Sequence, residues 1–389
     1  MATENNNKTL NVPNLRFPEF SGEWTKTLLN NYLEENKERN KRGIFTKNHV
    51  LSVSGDFGIV NQIELLGRSF AGKSVLDYHV VRTGNIVYTK SPLKEYPYGI
   101  VKVNGGVDGI VSTLYAVYKV KETANGKFVE YYFGLPNRTN RYFKPIVSIG
   151  AKHDMKIGND EVLANYVVFP CVDEQKRISD FICLLDERIA TQIKIIEDLK
   201  KLKSAISNEI FEQTSNRICE LKEIASVIMG QSPSSHAYNN NAEGLPLIQG
   251  NLDRENGQLS PRIYTSEITQ TCECGDVILT VRAPVGEIAI AQQEACIGRG
   301  VCSIRPHVKN DTNLIYQFLQ YFRPKWGSLE QGSTFTAVSG TDIRGIAVSI
   351  PSADKIELLN VYDNKIKVES RILANLIQQK QYLLAQMFI

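Results

Sequence analysis

No apolar run in the sequence approaches the roughly 18 residues that suggest a membrane span. The opening residues, MATENNNKTL, are polar, so the chain reads as cytoplasmic with a short frayed start. Seven cysteines are an odd number without an even spacing framework, which argues for reduced thiols rather than a disulfide scaffold. Cys272, Cys274, Cys296 and Cys302 cluster in sequence, but a C-x-C pair is not the spacing of most zinc sites; they are expected to be buried small hydrophobes. The five histidines, His49, His79, His153, His236 and His307, are scattered without metal-ligand spacing, so no metal is expected. Catalytic signatures are missing as well. There is no N-P-P-Y or D-P-P-Y adenine pocket, no glycine-rich methionine-cofactor loop and no H-x-E with C-x-x-C deaminase pattern. Asp56-Phe57-Gly58 lacks the H-R-D partner of a kinase.

Charge of one sign is also scarce overall, with 45 Lys and Arg against 42 Asp and Glu. Division along the chain is more informative. Residues 1–161 carry 22 basic and 16 acidic side chains, hence +6, whereas residues 216–351 carry 11 and 13, hence −2. A nucleic-acid partner is permitted by this balance but not demanded, and the second half would need a local patch to meet phosphate.

What is present is a repeat. From Asp173 to about Gln213 there is no Gly or Pro, and apolar residues recur at helical steps: Ile182, Leu185, Ile189, Ile196, Leu199, Ile206 and Ile210. Adding 177 to each number gives Leu359, Tyr362, Ile366, Leu373, Leu376, Leu383 and Met387, all apolar. At the same offset Asp186 matches Asp363, Ile195 matches Ile372, Lys203 matches Lys380 and Phe211 matches Phe388. Each segment follows an apolar stretch ending in proline, at Pro170 and Pro351, which stops a strand just before the helix begins. Roughly 36–41 helical residues make a rod about 55–60 Å long, and a rod of that length needs a partner. The matching stripes predict that the two helices pack on each other as an antiparallel coiled coil, the alternative being that each caps its own module.

The two modules differ in sequence, yet both consist of short β-branched and aromatic runs punctuated by Gly, Asn and Pro. Strands are predicted near Val50–Val53, Ile86–Lys90, Ile100–Val103 and Val111–Val120, and again near Pro246–Gln249, Asp276–Val281, Ile288–Ala291 and Val301–Arg305. Thr83-Gly84-Asn85 leading into a strand that ends on Lys90 corresponds to Cys274-Gly275-Asp276 leading into one that ends on Arg282. The fold class is therefore α+β: β-rich domains at 1–170 and 216–351, with long helices at 171–215 and 352–389 in a pseudo-two-fold repeat.

Several of these stretches resemble a known family. Asn14-Leu15-Arg16-Phe17-Pro18-Glu19-Phe20 with Glu23-Trp24, Asp173-Glu174-Gln175-Lys176-Arg177-Ile178 with Leu185-Asp186, and Met229-Gly230-Gln231-Ser232-Pro233-Ser234-Ser235 with Leu247-Ile248-Gln249-Gly250 make the chain similar, nearly end to end, to the specificity subunit of Type I restriction–modification systems. The second helix departs from the pattern, with Ala353-Asp354-Lys355-Ile356 in place of the Glu-Gln-x-x-Ile of the first. The resemblance implies two target-recognition domains, each reading one half of a split asymmetric site in double-stranded DNA. It also implies docking to two methyltransferase subunits and to restriction/translocase subunits, with no catalysis and no cofactor in this chain; S-adenosylmethionine and ATP with magnesium would belong to the partners. A rod bearing two reading heads would suit half-sites about one helical turn, on the order of 34 Å, apart.

Two other readings are open. Gly67-Arg68-Ser69-Phe70-Ala71-Gly72-Lys73-Ser74 satisfies the phosphate-loop pattern, and Phe181–Glu187 imitates the magnesium-binding strand of such proteins. A phosphate loop needs a helix after it, however, and here a Gly-Asn turn and a strand follow within about ten residues. The other is a non-DNA scaffold whose β modules bind carbohydrate or protein; a salt-dependent DNA affinity separates it from a DNA reader.

Base readout calls for Arg or Lys opposite guanine and Asn or Gln opposite adenine, and such residues near the basic strand ends are the DNA-binding candidates. In the first module these are Lys47, Arg68, Lys73, Lys90, Lys152 and His153. In the second they are Gln231, Ser234, Tyr238, Gln249, Asn251, Arg282 and Arg299, with Ser333, Thr334 and Thr336 as backbone positioners. Glu174, Gln175, Arg177 and Ile178, at the start of the first helix, are the expected partner contacts.

Overall fold

The computed structural model describes residues 10–93, 95–149, 155–255, 258–328 and 337–389. The chain forms two compact units, Met1–Ala190 with Ala374–Ile389, and Thr191–Leu373. The first long helix is Val172–Phe211 and the second Ala353–Gln386, so each helix lends one end to either unit. No helix among the described residues is long and apolar enough to cross a membrane.

The helical stripe holds along its whole length. None of the fourteen apolar positions related by the 177-residue offset is exposed, and Ile182, Ile196, Ile210, Leu359, Leu376, Leu383 and Met387 are buried. Polar pairs fix the direction of packing. In the first unit Lys380 Nζ meets Asp186 Oδ1 at 2.5 Å; in the second, Lys203 Nζ meets Asp363 Oδ1 at 2.6 Å. Rising numbers on one helix meet falling numbers on the other, so the helices run antiparallel, and each ion pair is the repeat image of the other with the donor and acceptor helices exchanged. Gln192 donates to Oε2 of Glu369, its own counterpart at the same offset, at 2.6 Å.

Each unit clasps its helix pair in the same way. A short helix of the β module supplies a donor to the aspartate: Tyr131 Oη, on Gly126–Tyr132, gives a hydrogen bond to Asp186 at 2.7 Å, and Gln317 Nε2, on Thr312–Phe322, gives one to Asp363 at 2.7 Å. A phenylalanine near the far helix end then stacks on an aromatic ring of the module, Phe388 on Phe128 at 5.0 Å and Phe211 on Tyr321 at 5.2 Å. The first core is largely aromatic around Tyr88, Phe128, Phe143 and Phe169, and the second mostly aliphatic with Phe318 and Trp326. The proline boundaries hold too. Tyr166–Phe169 pairs antiparallel with Thr25–Leu28, and Ala347–Ile350 with Arg217–Glu220, closing each module at the helix that follows.

Between these closures lie unequal sheets. The first module has a four-stranded sheet containing Leu33–Glu35, Tyr115–Val120, Ile86–Thr89 and Val101–Val103. The second has a six-stranded and a five-stranded sheet. The turn-and-strand units expected to correspond do so in detail. Gly84 and Gly275 take φ of +86° and +96°, backbone that a side chain would strain. Asn85 Oδ1 then accepts from the Arg82 amide at 3.0 Å, and Asp276 Oδ2 from the Glu273 amide at 2.9 Å.

Candidate nucleic-acid interface

In the second unit three loops converge because their backbones come closer than side chains would allow. A Cβ on Gly230 would stand 2.2 Å from the Gly298 carbonyl oxygen, and one on Gly300 2.0 Å from that of Gln249. Hydrogen bonds lock the approach: Gly230 N to Val301 O at 3.0 Å, Gly298 N to Ile248 O at 2.7 Å and Val281 N to Gly300 O at 2.9 Å. The result is an open concavity of about 640 Å³ whose wall includes Ser232, Tyr238, Gln249, Asn251, Arg282 and Arg299.

Five of the residues singled out from sequence in this module, Tyr238, Gln249, Asn251, Arg282 and Arg299, are thus brought together. Gln249 Nε2 donates to Tyr238 Oη at 2.8 Å, and that hydroxyl donates to Pro233 O at 3.3 Å. Arg282 and Arg299 are exposed. Gln231 and Ser234 flank the wall on the same loop without lining it; their backbone amides are spent on Ile297 O and on Glu267. Ser333, Thr334 and Thr336 lie outside the described residues.

Residues that sequence reasoning missed hold the site together. The buried Asp253 carboxylate accepts from the amides of Gln249 and Gly250 at 2.8 and 3.2 Å and is paired with Arg262. Ser232 Oγ accepts from the Arg299 amide at 3.0 Å. An aspartate four residues after Gln249 is a signal for such a turn, although it does not say which amides are capped.

Of the candidates of the first unit, Lys47, Arg68, Lys73 and Lys90 are among the described residues. Lys47 is exposed on the short helical turn Lys47–His49, Arg68 lies 4.6 Å from the Phe70 ring centre, and Lys73 is exposed. Lys90, which aligns with Val281 and precedes the position of Arg282 by one residue, is instead a structural pin, its Nζ donating to Ile157 O at 2.8 Å and Asn159 Oδ1 at 2.6 Å, with burial pulling its pKa down. Lys152 and His153 lie outside the described residues. The phosphate-loop string is not a phosphate cradle: Gly67 closes the short helix Gln62–Leu66 in left-handed conformation, and no helix follows the string before the strand His79–Val81.

The expected partner contacts need correction. Glu174, Gln175 and Ile178 are almost fully buried. Glu174 takes a two-pronged ion pair from Arg16, both contacts 2.7 Å, and a bond from Trp24 Nε1. Gln175 holds Asn125 N, Thr123 O and Pro170 O. They tie the N-terminal segment and the β module to the helix, so only Arg177, beneath which Phe17 packs, presents its side chain outward. Of the cysteines, Cys272, Cys296 and Cys302 are buried, with burial raising the thiol of Cys272 to about 11 and that of Cys302 to about 12. Cys274 departs from expectation by being exposed in the turn. No group of side chains suited to a metal occurs among the described residues.

Comparison with known proteins places this geometry. Residues 216–378 match the family described as the Type I restriction modification DNA specificity domain. A Methanocaldococcus jannaschii protein named as the type I restriction enzyme MjaX specificity subunit is 30% identical over 229 residues, covering 53% of this chain. The chain spans about half, 54%, of the length of that relative. Two solved chains have the same fold. One, from work on complex assembly and conformational transition of the type I R-M system, has a TM-score of 0.60 at 21% identity, over 94% of this chain and 97% of that one. The other, the Type-I restriction-modification S subunit from M. genitalium, has a TM-score of 0.60 at 14% identity, over 97% and 99%. Residues 216–378 thus carry a Type I restriction modification DNA specificity domain, and the chain as a whole shares its fold with Type I specificity subunits.

Proposed function

We propose that this chain is the DNA-reading subunit of a Type I restriction–modification complex and performs no chemistry of its own. Each β module would read one half of a bipartite, asymmetric site. The observation that carries this is the concavity of the second unit. Loops from distant parts of the sequence are fastened there by close backbone contacts so that two exposed guanidiniums, two amide side chains and a tyrosine share one wall, the set that base edges and phosphates require. Modules that share a frame but not their loop chemistry fit an asymmetric target better than a palindrome.

Two methyltransferase subunits are the proposed partners of the helices, joined in the full complex by restriction/translocase subunits. Apolar side chains recur on the exposed helix surface at the 177-residue offset: Phe181 with Leu358, Leu184 with Val361, and Ile195 with Ile372, all at least 36% exposed. Folding of the chain does not bury these positions, so their repetition fits two equivalent partner surfaces. S-adenosylmethionine and ATP with magnesium would be bound by the partners.

The test is the genome-wide adenine-methylation pattern of the host with and without this chain. Loss of a two-part motif is expected on deletion, and binding by the chain with its methyltransferase should weaken steeply with salt. If no motif disappears and no methyltransferase accompanies the chain, the assignment fails.

A further inference from the structure

The concavity of the second unit presents two exposed guanidiniums beside neutral amide and hydroxyl groups. No carboxylate lines it, so the usual acceptor for the amino group of cytosine is missing from its described wall. Gln249 has one end of its amide engaged by Tyr238 Oη at 2.8 Å. That bond uses one of the two amide hydrogens and holds the side chain in place on the wall. Neither the Arg282 nor the Arg299 guanidinium has a hydrogen-bond or ion-pair partner among the described residues. Four other arginines of the unit are engaged, Arg305 by Asp276 and Glu273, Arg262 by Asp253, Arg323 by Glu287 and Arg344 by Val227 O.

The mounting of the two side chains separates base reading from phosphate attraction. Arg282 leaves the sheet between Val281, whose amide is fixed to Gly300 O, and a backbone bridge to Ala337. Arg299 has its amide held by Ser232 Oγ and stands next to Gly300, where a Cβ would lie 2.0 Å from the Gln249 carbonyl oxygen. A phosphate contact tolerates a mobile lysine on an open loop. A fork of donors aimed at the N7 and O6 of one base requires a backbone that does not move.

Resting on the DNA-reading assignment above, we propose that Arg282 and Arg299 are specificity-determining residues that read guanine in the half-site of the second unit. The prediction concerns which positions of the motif depend on these side chains. The presence of a G·C pair alone, common in any short site, does not decide it.

The experiment expresses the full chain with its methyltransferase subunits and sequences the methylated motif for the wild type, Arg282→Ala, Arg299→Ala and Arg282→Gln. Each alanine variant is expected to relax one G·C position of one half-site, with discrimination there falling roughly ten- to hundred-fold and the other half-site unchanged. Arg282→Gln should move the preference at its position toward A·T. An unchanged motif accompanied by uniformly weaker binding and a salt dependence shallower by about one counterion would mark phosphate contacts and overturn the proposal, as would no change in motif or affinity. Unaltered thermal unfolding of the variants excludes a folding defect. Absence of any two-part motif with the wild-type chain would instead refute the DNA-reading assignment itself.

Discussion

Lys90 in the first unit and Arg282 in the second follow corresponding strands, Ile86–Thr89 and Val277–Thr280, one residue out of register, and have opposite fates. Both follow a Gly-Asn or Gly-Asp turn with the same left-handed glycine and the same side-chain-to-amide closure. Lys90 turns inward to hold the 157–159 segment, whereas Arg282 is exposed on the wall of a concavity. The duplicated frame sets Lys90 where the second unit has buried Val281, and Arg282 stands one residue further on. A shift of one residue along extended backbone turns a side chain to the opposite face, which separates the strut from the exposed guanidinium.

The comparison can be broken at several points, of descending expected effect. The two Lys–Asp pairs of the helices are repeat images in different surroundings. Lys203 has a side chain only 9% exposed and also bonds Gln320 at 2.8 Å, while Lys380 is 28% exposed and its partner Asp186 36%. Lys203→Ala leaves Asp363 and Gln320 without their cation and should destabilise the chain by about 3 kcal/mol. Lys380→Ala should cost about 1 kcal/mol or less. Chemical denaturation of the two variants measures the gap, and equal losses would show that burial does not distinguish the pairs.

A second contrast sets Lys90→Ala against Arg282→Ala. The first orphans the Ile157 carbonyl in a partly buried setting and should lower stability by roughly 1–3 kcal/mol. The second should change stability by less than about 0.5 kcal/mol while altering DNA reading. Thermal unfolding together with DNA binding by the assembled complex separates the two roles.

The first unit should also be the more acid-sensitive. His79 is buried on the strand His79–Val81, its Nδ1 has no hydrogen-bond partner among the described residues, and burial lowers its pKa to about 4. The unfolded chain takes up a proton near pH 6.5 that the folded chain refuses until about 4. This contribution to stability is therefore complete above about 6.5 and is lost as pH falls toward 4. Unfolding midpoints across that window should drop for the wild type and drop less for His79→Phe.

The smallest effect is expected at Lys73. With no helix behind its loop, Lys73→Ala should leave the protein's response to ATP unchanged and weaken DNA binding only slightly and equally for all sequences, with the salt slope falling by about one. Titration at several salt concentrations checks both parts.

Much of this architecture was legible in sequence because it rests on periodicity. A helical stripe shows in residue spacing alone, and the offset of 177 identified in advance the Asp and Lys that form both interhelical pairs. Proline at 170 and 351 marked the strand ends for an equally local reason. The concavity was partly legible: glycines, Gln249 and the basic strand ends are turn and readout chemistry. Partnering was not. Glu174, Gln175 and Ile178 have the composition of a surface helix start, and nothing local shows that Arg16 and Trp24 return from 150 or more residues away to cover them. Asp253 escaped for the same reason, since its role is to cap amides rather than to contact a ligand.

The central claim is that each β module reads its own half of the target. Exchanging residues 216–351 for the corresponding module of another family member, and sequencing the methylated motif produced with the methyltransferase subunits, tests it most directly. The account predicts that one half of the motif changes while the other is retained. A motif that changes in both halves, or in neither, would contradict it.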